Sequence, residues 1–120
     1  MMEDIFRRTL LFDFYGDLLT EHQRSMYEAV VLNDTGYSEA AQEAGISRQG
    51  VHDMIRRCDR QMEMYEEKLG LMEKFLKIRK LTEEIDSLAA ALPKDPAMNG
   101  PAGTDAERIR SLCREIREEL

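Results

Sequence analysis

Tryptophan is absent from this chain, cysteine occurs twice, and all three prolines fall within one short stretch. Each scarcity excludes something. Cys58 and Cys113 are too few and too far apart for a disulfide framework or a recognisable metal site, and both read as buried small hydrophobes. No apolar run approaches the ~20 residues of a membrane-spanning helix. The opening MMEDIFRR lacks the apolar core of a signal peptide, so a cytoplasmic protein without membrane insertion is expected. Neither a GxxxxGKS/T loop nor GxGxxG occurs, which argues against nucleotide hydrolysis. His22 and His52 have no triad-like or metal-like company. The acid pairs Glu66-Glu67, Glu83-Glu84 and Glu118-Glu119 read as solvated helix faces rather than catalytic carboxylates. A non-enzymatic protein without cofactor or metal is expected.

What is present is charge on a helical pattern. The 120 residues suffice for one domain with a core that folds without staples, and 34% charged against 42% hydrophobic residues suits an all-α protein. Met2 to Leu19 reads as a first helix with Ile5, Phe6, Leu10, Phe14, Leu18 and Leu19 available for burial, and the aromatics Phe12, Phe14 and Tyr15 read as core. Thr20 followed by Gln23 is a capping-box pattern opening a second helix through Met26, Tyr27, Val30 and Val31, and Asn33-Asp34-Thr35-Gly36 stops it.

The stretch GYSEAAQEAGISRQGVHDMIRR, Gly36 to Arg57, has the pattern of a helix-turn-helix. A short helix beginning near Tyr37 carries Ala40, Ala41 and Ala44, and Gly45 supplies the residue most tolerant of a left-handed turn. Ile46 dips into the core, and Ser47 is placed to cap a second helix on which Val51 and Ile55 face inward. Arg48, Gln49, His52 and Arg56 fall on the other side, where a recognition helix meets DNA. Arg48 and Gln49 have the chemistry to grip guanine and adenine edges, with His52 about one turn on. Arg56, Arg57 and Arg60 have the reach to hold phosphates. The candidate double-stranded-DNA contacts are therefore Ser47, Arg48, Gln49, His52, Arg56 and Arg57. The competing reading pairs these arginines with Asp53, Asp59 or Glu63 on a solvated face.

Net charge opposes DNA binding, at −7 for the whole chain. Its distribution softens the objection. Met1–Gly45 holds three basic against nine acidic residues, whereas Ile46–Arg60 holds Arg48, Arg56, Arg57 and Arg60 against Asp53 and Asp59. The recognition helix is the net-positive stretch of this partition, which predicts a small, salt-sensitive footprint.

No proline interrupts the chain from Ser47 to Leu92. Ile55, Cys58, Met62, Tyr65, Leu69, Met72 and Leu76 advance in steps of three and four, and after a slip the stripe resumes as Ile78, Leu81, Ile85, Leu88 and Leu92. Gly70 offers a bend; an unbent helix would outrun a small domain and need a partner, which favours a homodimer. PKDPAMNGPAG then reads as a linker, and Thr104 with Glu107 as a second capping box. It opens an amphipathic helix with Ile109, Leu112, Cys113, Ile116 and Leu120 on one face. The expected organisation is a helical domain over 1–92 with the helix-turn-helix at 37–58, a linker at 93–103 and a C-terminal helix at 104–120.

From Leu19 onward, LTEHQRSMYEAVVLNDTGYSEAAQEAGISRQGVHDMIRR resembles the promoter-reading helix-turn-helix of bacterial sigma factors. The longer run from LFDFYGDLLTEHQ to EEKLGLMEKF resembles the small bacterial YlxM family over roughly Ile5 to Phe75. The resemblance implies a DNA-binding regulator encoded beside the genes of the signal recognition particle (SRP) and acting in that pathway. Ala40 stands where sigma-like sequences carry a larger apolar residue, so the helix pair should pack closer or less fully. Gly50 lowers the intrinsic stability of the recognition helix by ~1 kcal/mol. The alternative reading is an acidic dimeric adaptor that binds the SRP protein or its receptor without reading DNA sequence. Direct binding of the particle's RNA ranks last, because aromatic stacking motifs are missing.

Overall fold

Among the described residues, backbone-to-backbone hydrogen bonds close locally. The computed structural model describes residues 2–92 and 101–120, and among these there are six α-helices and no strand, the all-α class expected. Helix α1 spans Met2–Tyr15 and tightens into a 3-10 turn at Gly16–Leu18. Helix α2, Glu21–Tyr27, widens into a π-helical turn over Glu28–Leu32. Then come α3 (Tyr37–Ala44), α4 (Arg48–Leu69), α5 (Leu71–Ala90) and α6 (Pro101–Glu119). The chain divides into two compact units, Met1–Met72 and Glu73–Leu120.

The local signals in the first unit act as the sequence suggests. The Thr20 hydroxyl accepts from the Gln23 N–H at 3.2 Å while the Gln23 side chain accepts from the Thr20 N–H at 3.1 Å, so two orphan donors at the start of α2 are satisfied reciprocally. Helix α3 ends at Gly45, whose φ of 71° is left-handed, and the Ile46 N–H then reaches back to the Ala41 carbonyl at 3.1 Å. A second left-handed glycine, Gly70 at φ 63°, ends α4, and α5 starts one residue later. The long apolar stripe is thus carried by two helices rather than one.

Helix α4 packs against α1, α2 and α3, and its Val51, Ile55, Cys58 and Met62 form the inner stripe. They meet Leu11, Phe12 and Tyr15 of α1 and Met26, Tyr27 and Val30 of α2, with Phe12 stacked on Tyr27 at 5.4 Å between ring centroids. The burial expected for α1 needs correction. Ile5, Phe6 and Leu18 are 53%, 54% and 54% exposed, while Leu11, Phe12 and Tyr15 are buried. Apolar residues occur on more than one side of α1, and docking against α4 decides which side is used. The 3-10 turn after Tyr15 then carries Leu18 outward.

Glu66 also departs from expectation, for it is buried rather than solvated. Its carboxylate accepts from the Tyr15 hydroxyl at 2.6 Å and from the Met72 N–H at 2.8 Å, and the Leu71 N–H donates to the Tyr15 oxygen at 3.3 Å. The acid therefore caps the first turn of α5, where backbone donors lack helical partners and the helix dipole favours negative charge.

In the second unit Thr82, Ala89 and Cys113 are buried, and Arg110 reaches Asp86 at 3.0 Å. Arg117 lies 3.9 Å from the same carboxylate. Helix α6 begins at Pro101, three positions ahead of Thr104; proline suits a first helical turn because its missing N–H is not needed there. Residues 93–100 of the expected linker lie outside the described residues.

Candidate nucleic-acid interface

The turn between α3 and α4 sets the site. Ala40 and Ala41 are buried on α3, which packs against α4, where Val51 and Ile55 are buried in turn. Ala40 also lines, with His22, Met26, Ala29 and Ala44 among others, a shallow cleft of about 200 Å³ on the side of α2. Ser47 caps α4 by accepting from the Gly50 N–H at 2.9 Å. A Cβ at position 50 would lie 3.2 Å from that same hydroxyl oxygen, so glycine gives this cap its room.

Each candidate contact then has a definite place. Arg48 is the first residue of α4, exposed, and engaged in no hydrogen bond or ion pair among the described residues. Gln49 is exposed, and its amide donates to Asp53 at 3.1 Å. His52 is half-buried because its ring lies flat on that of Tyr37, with centroids 3.8 Å apart and planes within 6°. Arg56 is exposed and only loosely associated with Asp53, at 3.9 Å. Arg57 and Arg60 are exposed and, like Arg48, carry no ion pair among the described residues. Ser47 is occupied by capping, so its contribution is to fix where α4 starts.

Two of the three acids that could have claimed these arginines, Asp59 and Glu63, are held by α1 instead, while Asp53 stays with Gln49 and Arg56. Arg8 forms a two-point contact with Asp59 at 3.2 and 3.0 Å, and the Tyr27 hydroxyl donates to the same carboxylate at 2.6 Å. Arg7 grips Glu63 in the same forked manner at 2.7 and 2.6 Å, which holds the Glu63 carboxyl below its ordinary range. Burial, and then the Asp59 contact, push the Tyr27 phenol well up, so it remains a donor. Two negative charges on α4 are thereby neutralised by α1. Sequence reasoning missed Arg7, Arg8 and Tyr37. Their partners lie 56, 51 and 15 residues away, and no local pattern announces such contacts.

Residues 2–95 match the family of helix-turn-helix proteins described as YlxM / p13 like, UPF0122. A UPF0122 protein of Thermoanaerobacter sp. (strain X514) is 42% identical over 121 residues, covering 98% of this chain and 97% of the relative. One from Caldanaerobacter subterraneus subsp. tengcongensis is 46% identical over 85 residues, 71% of this chain and 73% of its own. A Listeria innocua member is 37% identical over 112 residues, spanning 93% and 99% of the two chains. This chain belongs to the UPF0122 family. Membership agrees with the helix-turn-helix seen at α3 and α4 and with the resemblance carried by the Ile5–Phe75 stretch. Among the described residues no helix is long and apolar enough to cross a membrane, and no cluster of three or more histidine, cysteine or acidic side chains is placed to hold a metal.

Proposed function

We propose that this protein is a sequence-specific reader of double-stranded DNA that acts as a regulator in the signal recognition particle pathway, as a homodimer. The observation that carries the DNA reading is the unpartnered cationic edge of α4. Among the described residues Arg48, Arg57 and Arg60 carry no ion pair, and the nearby acids Glu63 and Asp59 are occupied by Arg7 and Arg8. Arg48 and Gln49, at the N-terminal end of α4, are the base-reading pair; Gln49 must leave Asp53 to reach a base. Arg56, Arg57 and Arg60 hold phosphates and fix register. His52, backed by Tyr37, is a firm apolar and hydrogen-bonding surface rather than a free side chain. The pathway assignment rests on the resemblance of the Ile5–Phe75 stretch to proteins encoded beside SRP genes.

The test is selection of genomic fragments by purified protein at ~100 mM salt, with an Arg48→Ala/Arg56→Ala variant alongside. Wild type should enrich a shared site that the variant does not. The single changes should separate: Arg48→Ala relaxes base choice by ~1–3 kcal/mol, and Arg56→Ala weakens all sequences alike. No enrichment over the double variant sinks the DNA reading and leaves the acidic adaptor, whose partners would be sought among SRP proteins.

A further inference from the structure

Along α5 the apolar residues Ile78, Leu81, Ile85 and Leu88 alternate in steps of three and four, with Leu92 just beyond the helix end, the seam of a helix pairing with another helix. The seam is not covered. Leu81, Ile85, Leu88 and Leu92 are 49%, 46%, 65% and 51% exposed, and α6 of the same unit leaves Ile109 and Ile116 38% and 44% exposed as well. The neighbouring edge of α5, at Thr82 and Ala89, is buried, so the exposed seam is distinct from the packed side.

Charge along α5 identifies what fits. Its first ten residues carry Lys74, Lys77, Arg79 and Lys80 against Glu73, and its last ten carry Glu83, Glu84 and Asp86 with no base. Asp86 is engaged by Arg110 and Arg79 by Glu83, leaving Lys74, Lys77 and Lys80 at one end and Glu84 at the other. We infer that a second copy of this chain seats its own α5 on the seam in antiparallel fashion, each basic half meeting the partner's acidic half. A two-fold axis near Leu81 satisfies both halves at once and sets Lys77 level with Glu84 of the second copy. Parallel pairing would instead place lysine against lysine. With α6 beside each α5, the assembly is a four-helix bundle, a stable way to cover two such faces. This inference rests on the homodimer proposed above and names its surface.

Analytical ultracentrifugation of the full chain decides it, without DNA. Wild type at micromolar concentration should sediment at twice the 13.9 kDa chain mass. Ile85→Glu, an exposed position, should keep its circular dichroism yet weaken association by about a hundredfold, since charge would enter an apolar seam. Leu88→Cys tests direction under mild oxidation, because Cys58 and Cys113 are buried. An axis near Leu81 keeps the two copies of residue 88 about 20 Å apart, so no inter-chain disulfide should form. A monomeric wild type overturns both the dimer and its surface. A dimer indifferent to Ile85→Glu overturns the surface alone, and ready disulfide formation at residue 88 overturns the antiparallel direction.

Discussion

Asp59 is the residue on which the chemistry of α4 turns. It sits on the same helix as Arg56, Arg57 and Arg60, where a free carboxylate would oppose phosphate binding. Arg8 and Tyr27 convert it into part of the core's polar edge. Arg8→Ala should therefore weaken DNA binding although Arg8 is assigned no contact with DNA. An uncompensated charge at this range is worth roughly 1 kcal/mol, or about fivefold in affinity. Asp59→Asn in the Arg8→Ala background should restore most of that loss. Fluorescence anisotropy with a selected DNA site measures both, and unchanged affinity in a folded Arg8→Ala protein would refute the neutralising role. Cys58 illustrates the opposite case at this scale: burial, and then the Asp59 charge, push its thiol up to about 11, consistent with a packing residue.

At the scale of elements, what the sequence made legible was what adjacent residues settle between themselves. The Thr20 box, the left-handed Gly45 and the Ser47 cap are each completed within a few positions, and each is found in place. The site was legible to the same extent, in that Arg48, Arg56 and Arg57 are exposed on α4 as the helical period requires. Contacts made across the fold were not. Which side of α1 is buried depends on α4, and Glu66 looked solvated because its hydroxyl partner, Tyr15, lies 51 residues earlier. The Tyr37–His52 stack belongs to the same class. Glu66 also supplies a test of the junction between α4 and α5. Glu66→Ala should cost ~1–3 kcal/mol, because it strands the Tyr15 hydroxyl and a backbone donor in a buried place. Glu66→Gln keeps an acceptor and should recover a substantial part. Urea titration compares the two; equal losses would mean that charge, rather than hydrogen bonding, does the capping.

For the whole molecule, a strongly acidic chain presents a small basic edge, and its binding should reveal how small. With Arg56, Arg57 and Arg60 on phosphates, log K against log salt should fall with a slope of about −3 per reading head and about −6 if both heads of a dimer engage one duplex. A slope near zero would remove phosphate contact from the account. The dependence of that edge on α1 reaches beyond binding into how such sequences can drift. On the proposed DNA reading, an Asp59 released by Arg8 would weaken binding, so position 8 is the costlier of the two to change first. A lineage losing Arg8 would carry a weakened reader until position 59 also changed, whereas one that lost Asp59 first could shed Arg8 at leisure. The order of substitution at two positions 51 residues apart is thus constrained by a single ion pair.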